Sequence, residues 1–286
     1  MRKVFFVSDL HGKRGKYEKL FHQLKEDIPE ILFIGGDILP PSMLSLNAFD
    51  PYHQDFISNY LKLEFQKLRE ELVEKYPEVY IILGNDDPRF EEAALISAGE
   101  NGLWTYLHDR NITSGKYRFF GYSFIPPSPF LLKDWEKFDI SRYVDVGAVS
   151  PLEGERTFPA SYDEIEFASI QNDLEKSLKG DLSMSVLLFH VPPYDTSLDL
   201  ADIGHRFVDH VPLDPHIGSI AVKRLIEERQ PYITLHGHAH ETVRLSGQWC
   251  EKIGSTVSFS AACEDDDLVI ISFTLEEPGD VIRRVL

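Results

Sequence analysis

Acidic, amide and imidazole side chains follow five short apolar runs of the sequence. In chain order these side chains are Asp9, His11, Asp37, Asn85, His190, His238 and His240. The first two lie two residues apart, as do the last two, so each pair points to one side of an extended segment. Carboxylate, carboxamide and imidazole groups together suit divalent manganese, iron or zinc. No thiolate belongs to the set, which argues against a structural zinc site.

The number of candidate ligands indicates more than one metal ion. Seven ligands exceed the four positions of a tetrahedral ion, and they suit two ions that share a bridging carboxylate. Two metals about 4 Å apart can hold the attacking and leaving oxygens of a displacement, and they lower the pKa of a shared water toward neutrality. Each motif alone has an ordinary explanation as a turn or a solvated acid. All five together, each behind an apolar run, favour a metal centre.

The apolar runs predict strands that are buried on both faces, because they are short, continuous and rich in β-branched and aromatic residues. These runs are Val4–Val7, Ile31–Ile34, Val79–Leu83, Val186–Phe189 and Tyr232–Leu235. Helical spacing of apolar residues separates them, over Lys16–Lys25, Asn59–Tyr76, Tyr162–Leu178 and Ser219–Arg229. The alternation predicts a layered α/β fold, in which ligands bind beyond the carboxyl ends of the strands.

The C-terminal part has a different pattern, which predicts closely spaced antiparallel strands that form a second sheet packed on the first. These strands are Thr242–Leu245, Gln248–Lys252, Val257–Ala262, Leu268–Leu275 and Val281–Val285. Two proline-containing stretches, 39–55 and 104–160, predict irregular structure. Because no repeat or low-complexity linker interrupts the chain, we expect 1–286 to form a single domain with a long irregular insertion around 104–160.

Composition and charge exclude several classes of protein. The chain has 286 residues and is 43% hydrophobic, which is ample for a core. A formal net charge of -18 argues against broad binding of nucleic acid. No apolar run is long enough for a membrane helix, and Ser8-Asp9 interrupts the apolar start too early for a secretory signal, so we expect a cytoplasmic protein. Two cysteines without a CxxC pattern argue against a disulfide scaffold.

The ordered motifs resemble those of the calcineurin-like metallophosphoesterase superfamily. The matching segments are Asp9-Leu10-His11, Gly36-Asp37, Gly84-Asn85-Asp86, His190 and Gly237-His238-Ala239-His240. The resemblance runs from residue 3 to about 260, and it implies a two-sheet β-sandwich core flanked by helices in four α/β/β/α layers. It also implies hydrolysis of a phosphate ester by a metal-bridging hydroxide, without a phosphoenzyme. By this resemblance Asp9, His11, Asp37 and His240 hold one metal, Asn85, His190 and His238 hold the other, and Asp37 bridges them.

One position departs from the pattern of that superfamily. The family often has Gly-Asn-His, where the histidine helps the leaving group depart, and Asp86 stands in its place. Asp86 is a candidate general acid if its pKa is well above the ordinary value of about 3.9, and otherwise it takes no part in proton transfer. Arg14 and Arg89 are candidates for binding phosphate oxygens, with solvated surface arginines as the alternative. Tyr194 is a candidate for lining the cleft, with a packed loop aromatic as the alternative.

These observations predict a dinuclear metal-dependent phosphohydrolase that acts on a small-molecule phosphate ester. Monoester, diester and nucleotide pyrophosphate all stay open, with a slight preference for a phosphodiester or a nucleotide. The alternative is a metallophosphoesterase-like scaffold that binds protein partners with little or no catalysis, and only Asp86 favours it. A barrel-type metal-dependent amidohydrolase fits less well, because such enzymes begin with His-x-His and the strand-rich C-terminus does not suit eight strand–helix units.

Overall fold

The computed structural model describes residues 1–40, 55–203, 207–208, 210–264 and 266–286, so most of the predicted 39–55 loop lies outside the described residues. All five predicted strand runs are confirmed as strands. The strands are β1 (Lys3–Val7), β2 (Ile31–Gly35), β3 (Glu78–Ile82), β4 (Thr105–Tyr106), β5 (Asn111–Ser114), β6 (Tyr117–Tyr122), β7 (Ser185–Phe189), β8 (Phe207–Val208), β9 (Val211–Pro212), β10 (Ile233–His236), β11 (Cys250–Ile253), β12 (Thr256–Ser260), β13 (Val269–Thr274) and β14 (Glu277–Val285).

Two mixed sheets contain most of these strands. One sheet has the order β14-β13-β1-β2-β3-β4, and the other has the order β11-β12-β10-β7-β6-β5. Strands β1 to β4 run parallel in the first sheet, as do β6, β7, β10 and β12 in the second. Each sheet therefore combines strands from distant parts of the chain, which supports our proposal that 1–286 form one domain.

Helices cover the outer faces of the two sheets. The helices are α1 (Arg14–Asp27), α2 (Lys62–Leu72), α3 (Glu92–Gly99), α4 (Tyr162–Glu166), α5 (Ile170–Ser177), α6 (Ile220–Arg229) and α7 (Thr242–Ser246). A π-helical turn, Ile57–Leu61, leads into α2, and 3-10 turns lie at Val73–Lys75 and Arg89–Glu91. Within the described ranges, no helix combines the length and apolar content needed to cross a bilayer.

Strand alternation explains the layers. Val4 and Phe6 of β1 pack with Phe119 and Leu188 of the other sheet, which builds the core between the sheets. Phe5 lies on the opposite face of β1, in the cluster that includes the buried residues of α1. Each fully buried side chain of this kind contributes about 1.5–3 kcal/mol to stability. The predicted fold, a two-sheet sandwich flanked by helices, is confirmed.

Three local predictions were wrong. The segment Thr242–Leu245 is helical, because the run is too short to show its period and Gly247 ends it as a left-handed C-cap with a φ of 72°. The C-terminal strands do not form a sheet of their own, since β11 and β12 join the second sheet and β13 and β14 extend the first. The segment 104–160 is irregular only in part, because β4, β5 and β6 occupy much of 105–122.

Two predicted helices are also interrupted. The range Tyr162–Leu178 divides into α4 and α5, because two serines start separate helices. Ser161 caps α4 in a reciprocal arrangement with Glu164, and the Ser169 hydroxyl accepts from the Asn172 main-chain N–H at 3.1 Å. The range Asn59–Tyr76 divides into the π-helical turn, α2 and a final 3-10 turn.

Candidate metal centre

The carboxyl ends of five strands bring the candidate ligands together at one edge of the sandwich. Asp9 and His11 follow β1, Asp37 follows β2, Asn85 follows β3, His190 follows β7, and His238 and His240 follow β10. Main-chain hydrogen bonds join these loops within each sheet, from His11 N to Asp37 O at 2.7 Å and from Gly237 N to His190 O at 2.9 Å. A further bond, from His238 N to Asp9 Oδ1 at 3.1 Å, joins the two sheets.

Four of the candidate ligands form one compact group. Asp9, His11, Asp37 and His240 each offer a ligand atom, and these atoms all lie within 4.8 Å of one another. His240 Nε2 lies 3.2 Å from Asp9 Oδ1 and 3.2 Å from His11 Nε2. Two imidazole nitrogens at this separation need a proton or a cation between them, because two lone pairs would repel each other.

The remaining candidates form a second group around His190. The Nε2 atom of His190 lies 2.9 Å from Asn85 Oδ1 and 3.2 Å from Asp37 Oδ2. Its Nδ1 atom lies 2.8 Å from the Gly35 carbonyl oxygen, which accepts a hydrogen bond from the N–H at that nitrogen. The ring of His238 packs edge-on against His190, with 5.3 Å between ring centroids.

Asp37 belongs to both groups. Its Oδ2 atom faces His190 at 3.2 Å, and its Oδ1 atom accepts the main-chain N–H of Asp86 at 2.8 Å. The side chain is almost completely buried. The arrangement therefore has the form expected of a carboxylate shared between two cation sites.

Tight approach of neighbouring loops explains one motif glycine. A Cβ atom at Gly84 would lie against Asp37 Oδ1 and 2.7 Å from His190 Cε1. Any side chain at that position would have to displace both candidate ligands. The glycine is therefore required by the site itself, and its role as an ordinary turn residue is secondary.

Four of the candidate ligands have a strained backbone. Positive φ angles occur at Asp9 (58°), His11 (47°), Asp37 (50°) and His238 (69°). Residues other than glycine rarely adopt this left-handed region, and each such residue costs of order 1–3 kcal/mol. Strain of this kind persists where the surrounding structure imposes it, and it is common at functional sites.

Burial and opposite charge act against each other at the centre. Burial favours the neutral form of His190, but the Asp37 and Asp9 carboxylates and the hydrogen bond to the Gly35 carbonyl together outweigh it and raise the pKa of His190 to about 10. Burial likewise raises the pKa of Asp37, but the His190 imidazolium outweighs it and leaves the pKa at about 2. Burial lowers the pKa of His238 to about 3, so this imidazole is neutral. Asp37 and His238 are thus held in the state that binds a cation, whereas His190 carries a proton that a cation must displace. Burial lowers the pKa of His240, but Asp9 outweighs burial and raises it, so the proton-bearing form of His240 is favoured as well.

The donor set fits divalent cations on three grounds. Asp9 Oδ2 is buried without a hydrogen-bond partner among the described residues, which leaves a charged oxygen uncompensated. His190 Nε2 faces Asn85 Oδ1 and Asp37 Oδ2, and both oxygens can only accept. The Asn85 amide nitrogen donates to Asp86, which leaves its oxygen directed at His190. Neutral imidazoles, carboxylates and a carboxamide oxygen are the ligands expected for manganese, iron or zinc.

Asp86 lies at the edge of the centre. Its Oδ2 atom is 3.6 Å from His11 Nδ1, and its Oδ1 atom accepts from the Asn85 amide at 2.9 Å. The side chain is 40% exposed, in contrast to the buried Asp9 and Asp37. The Asp37 carboxylate, together with burial, raises the pKa of Asp86 to about 7.

The three predicted substrate-binding residues lie in other contacts. The Arg14 guanidinium stacks on Tyr60 at 4.8 Å from the ring centroid. Arg89 lies over three aromatic rings, at 5.2 to 5.7 Å from the centroids of Trp135, Phe158 and Phe124. The Tyr194 hydroxyl donates to Asp214 Oδ2 at 2.6 Å. None of these contacts joins the three residues to the candidate ligands.

Sequence reasoning missed the role of Asp87. This residue is completely buried, and its carboxylate accepts main-chain N–H groups from Gly84 at 2.9 Å and Leu39 at 2.7 Å. It therefore ties the loop after β3 to the loop after β2. Its position directly after Asp86 was the available signal, but two adjacent acids in a turn normally indicate solvated side chains.

Comparison with known proteins agrees with this architecture. A model of the calcineurin-like phosphoesterase family matches residues 2–242. One solved crystal structure is 19% identical, with 99% of this chain and 98% of that chain covered and a TM-score of 0.56. The protein TT1561 of Thermus thermophilus is 15% identical, with 99% and 98% covered and a TM-score of 0.54. At these identities the two structures share the fold, and a sequence comparison with curated proteins finds no match.

The family match covers most of the chain and includes every motif that carries a candidate ligand. The described residues also contain a buried group of carboxylates and imidazoles suited to a metal ion. The chain therefore belongs to the calcineurin-like phosphoesterase family, and it is a phosphoric ester hydrolase.

Proposed function

We propose that the protein is a dinuclear metal-dependent phosphohydrolase. The proposed ligands are Asp9, His11, Asp37 and His240 for one ion, and Asp37, Asn85, His190 and His238 for the other. The observation that carries the proposal is the position of Asp37, whose carboxylate belongs to both groups. When bound, two cations of manganese, iron or zinc would supply a nucleophilic water of lowered pKa and positive charge for the phosphoryl oxygens.

The residues of the chain orient the ligands in advance. The Gly35 carbonyl holds the His190 ring so that Nε2 faces Asp37 and Asn85. The Asp86 main-chain N–H fixes the rotation of the Asp37 carboxylate. Such hydrogen bonds to ligand side chains are typically worth 10- to 100-fold in metal affinity or activity, so roughly that factor is expected here.

We propose Asp86 as the group that donates a proton to the leaving oxygen. Its carboxyl is the partly exposed one at the edge of the buried cluster, at the position where related proteins often have histidine. The Asp86→Asn variant should lose activity on an alkyl phosphate ester, whose leaving group needs a proton. It should retain activity on a p-nitrophenyl ester, whose leaving group does not. Equal losses on both substrates would contradict this role.

A phosphodiester or a nucleotide is the substrate class that we favour. The net charge of -18 repels a dianionic monoester more strongly than a monoanionic diester. We therefore expect a higher kcat/KM for bis(p-nitrophenyl) phosphate than for p-nitrophenyl phosphate. The opposite order would favour a phosphomonoesterase.

The proposed function is tested by removing and restoring the metal. Chelator treatment should abolish hydrolysis of bis(p-nitrophenyl) phosphate, and Mn²⁺ should restore it. The Asp37→Asn variant should lose more than about 100-fold in kcat/KM, because a shared ligand matters more than the groups that orient it. His22→Gln replaces an exposed histidine and serves as the control. Protein that binds no transition metal after incubation with Mn²⁺, or Asp37→Asn with full activity, would refute the proposal.

The second candidate function is a catalytically weak scaffold that binds protein partners. Asp86, in place of the histidine that often assists the leaving group, is the feature that favours it. Full occupancy by Mn²⁺ together with no hydrolysis of monoesters, diesters or nucleotide pyrophosphates would favour this scaffold over the enzyme.

A further inference from the structure

Four consecutive buried residues lie in the irregular part of the segment after β6. Lys133, Asp134, Trp135 and Glu136, here called the KDWE segment, are each no more than 1% exposed. Three ionisable side chains in such a short segment are rarely buried unless they are paired. Lys133 and Glu136 satisfy each other at 2.6 Å, and Glu136 also accepts the main-chain N–H of Ser128 at 2.8 Å. These contacts hold the segment to its own surroundings.

The two central residues contact the loop that carries Asn85 and Asp86. Trp135 Nε1 donates to the Asp87 main-chain carbonyl oxygen at 2.9 Å. Asp134 Oδ2 accepts the Arg89 main-chain N–H at 2.8 Å. Thr157 adds a third bond, because its hydroxyl oxygen accepts the Phe90 main-chain N–H at 3.2 Å. The segment after β6 thus holds three polar groups of this loop's backbone.

Packing fixes the orientation of the Trp135 indole. The ring is completely buried, with His108 edge-on at 5.0 Å and Phe124 at 5.2 Å between ring centroids. The Arg89 guanidinium covers the indole at 5.2 Å from its centroid. The N–H group therefore points at the Asp87 carbonyl in a single fixed direction, and the loop cannot shift without breaking this bond.

Asp87 continues the connection to the metal centre. Its carboxylate accepts the Gly84 N–H directly before Asn85, and it accepts the Ile38 N–H directly after Asp37 at 3.0 Å. One buried side chain thus joins the backbones on which two candidate ligands sit. A displacement of Asp87 would change the separation between Asp37 and Asn85.

We propose that Trp135 is a positioning residue of the metal centre, which acts through the Asp87 carbonyl to hold the Asp37 and Asn85 loops at the separation that binds metal. The inference rests on the proposed function, since it assigns Trp135 to the same site. It gives the segment after β6 a role in metal affinity in addition to its structural contacts. The described hydrogen bond and ring contacts of Trp135 go to Asp87, His108, Phe124 and Arg89, none of which is a candidate ligand.

The experiment compares Mn²⁺ binding to chelator-treated, full-length variants by calorimetry. Trp135→Phe removes the N–H donor and keeps an aromatic ring, and it should weaken Mn²⁺ binding about 10-fold. KM for metal should rise, and kcat for bis(p-nitrophenyl) phosphate should recover at saturating Mn²⁺. Thr157→Val keeps the side-chain shape and removes the hydroxyl that accepts from the Phe90 N–H and donates to Asp134, and it should weaken binding by a smaller factor. This second variant decides the matter if Trp135→Phe does not fold.

Glu136→Gln is the matched control. It weakens the buried pair with Lys133 inside the KDWE segment and leaves the hydrogen bond from Trp135 to Asp87 in place. The variant should therefore have a lower Tm than the wild type and an unchanged affinity for Mn²⁺. Wild-type affinity in both Trp135→Phe and Thr157→Val would overturn the inference, as would an equal loss of affinity in Glu136→Gln. Wild-type protein that binds no Mn²⁺ would refute the proposed function and this inference with it. Wild-type protein that binds Mn²⁺ without hydrolysis would refute the function alone.

Discussion

Binding of Mn²⁺ should release close to one proton from His190 of the metal-free protein. The Nδ1 atom of His190 donates to the Gly35 carbonyl, so the titrating proton is on Nε2 and faces Asp37 at 3.2 Å. Burial lowers the pKa of His190, but the Asp37 carboxylate, with smaller effects from Asp9 and the Gly35 carbonyl, more than compensates and raises the pKa to about 10. To bind a cation through Nε2, the imidazole must give up that proton.

The magnitude follows from the pKa. At pH 8 a group with a pKa of about 10 is protonated in about 99% of molecules, so nearly one proton per protein should leave. Because the folded-state pKa is raised, the release should persist at lower pH and disappear as the pH rises through about 10. In Asp37→Asn the carboxylate that raises the pKa of His190 most is absent, and burial is opposed by the Asp9 carboxylate and the hydrogen bond to the Gly35 carbonyl. Its pKa should then fall well below about 10.

Two measurements test this reasoning. Calorimetric titration of the metal-free wild type with Mn²⁺ at pH 8, in buffers of different ionisation enthalpy, counts the protons released. Imidazole titration by NMR without metal compares the wild type with Asp37→Asn and with His22→Gln, which lacks an exposed histidine. An imidazole that titrates near pH 10 should be present in the wild type and His22→Gln and absent in Asp37→Asn. No proton release by the wild type, or an unchanged titration in Asp37→Asn, would refute the assignment of Asp37 and His190 as partners.

Three further predictions concern single residues. Gly84→Ala should abolish Mn²⁺ binding measured by calorimetry, because the new methyl group would occupy the space of the Asp37 carboxylate; wild-type binding would contradict the close approach. Lys133→Met should lower the free energy of unfolding in urea by about 3–5 kcal/mol, because it leaves Glu136 buried and unpaired, and a loss below about 1 kcal/mol would show that the pair is replaceable. His108 Nδ1 accepts a main-chain N–H, and burial lowers the pKa of this histidine to about 3. The imidazole therefore stays neutral in the folded protein, whereas in the unfolded chain it gains a proton below about pH 6.5. Stability should therefore fall as the pH drops below about 6.5, by about 2 kcal/mol at pH 5 for this residue, and His108→Gln should lose less than the wild type in urea titrations at pH 7 and 5.

The strands, and the polar residues that directly follow them, could be predicted from the local sequence pattern. A continuous apolar run such as Ile31–Ile34 can only be buried, and the polar residue after it must lie at the strand end. The prediction of a strand at Thr242–Leu245 was wrong, because four residues do not distinguish a helical period from an extended one. The segment is a helix, which Gly247 ends as a left-handed C-cap. Secondary structure and burial can thus be predicted from the sequence where a run is long enough to show its period.

Sheet membership depends on pairing between distant segments. Strand β13 lies beside β1, with Thr274 opposite Lys3, and no local signal separates it from β12, which joins the other sheet. The predicted antiparallel pairing holds for β11 with β12 and for β13 with β14, but β12 also pairs in parallel with β10. Partner choice could not be predicted, because it reflects the packing of both sheets together.

The amino-acid sequence by itself determined which side chains are available for metal chemistry and that each follows a buried strand. Only the tertiary structure decided that Asp37 faces both groups of candidate ligands, and that Asp87 and Trp135 hold the loops which carry them. The physical reason is that residue type and burial are local properties of the chain. The distance between two loops, in contrast, is set by hydrogen bonds between segments that are far apart in sequence, such as Trp135 and Asp87.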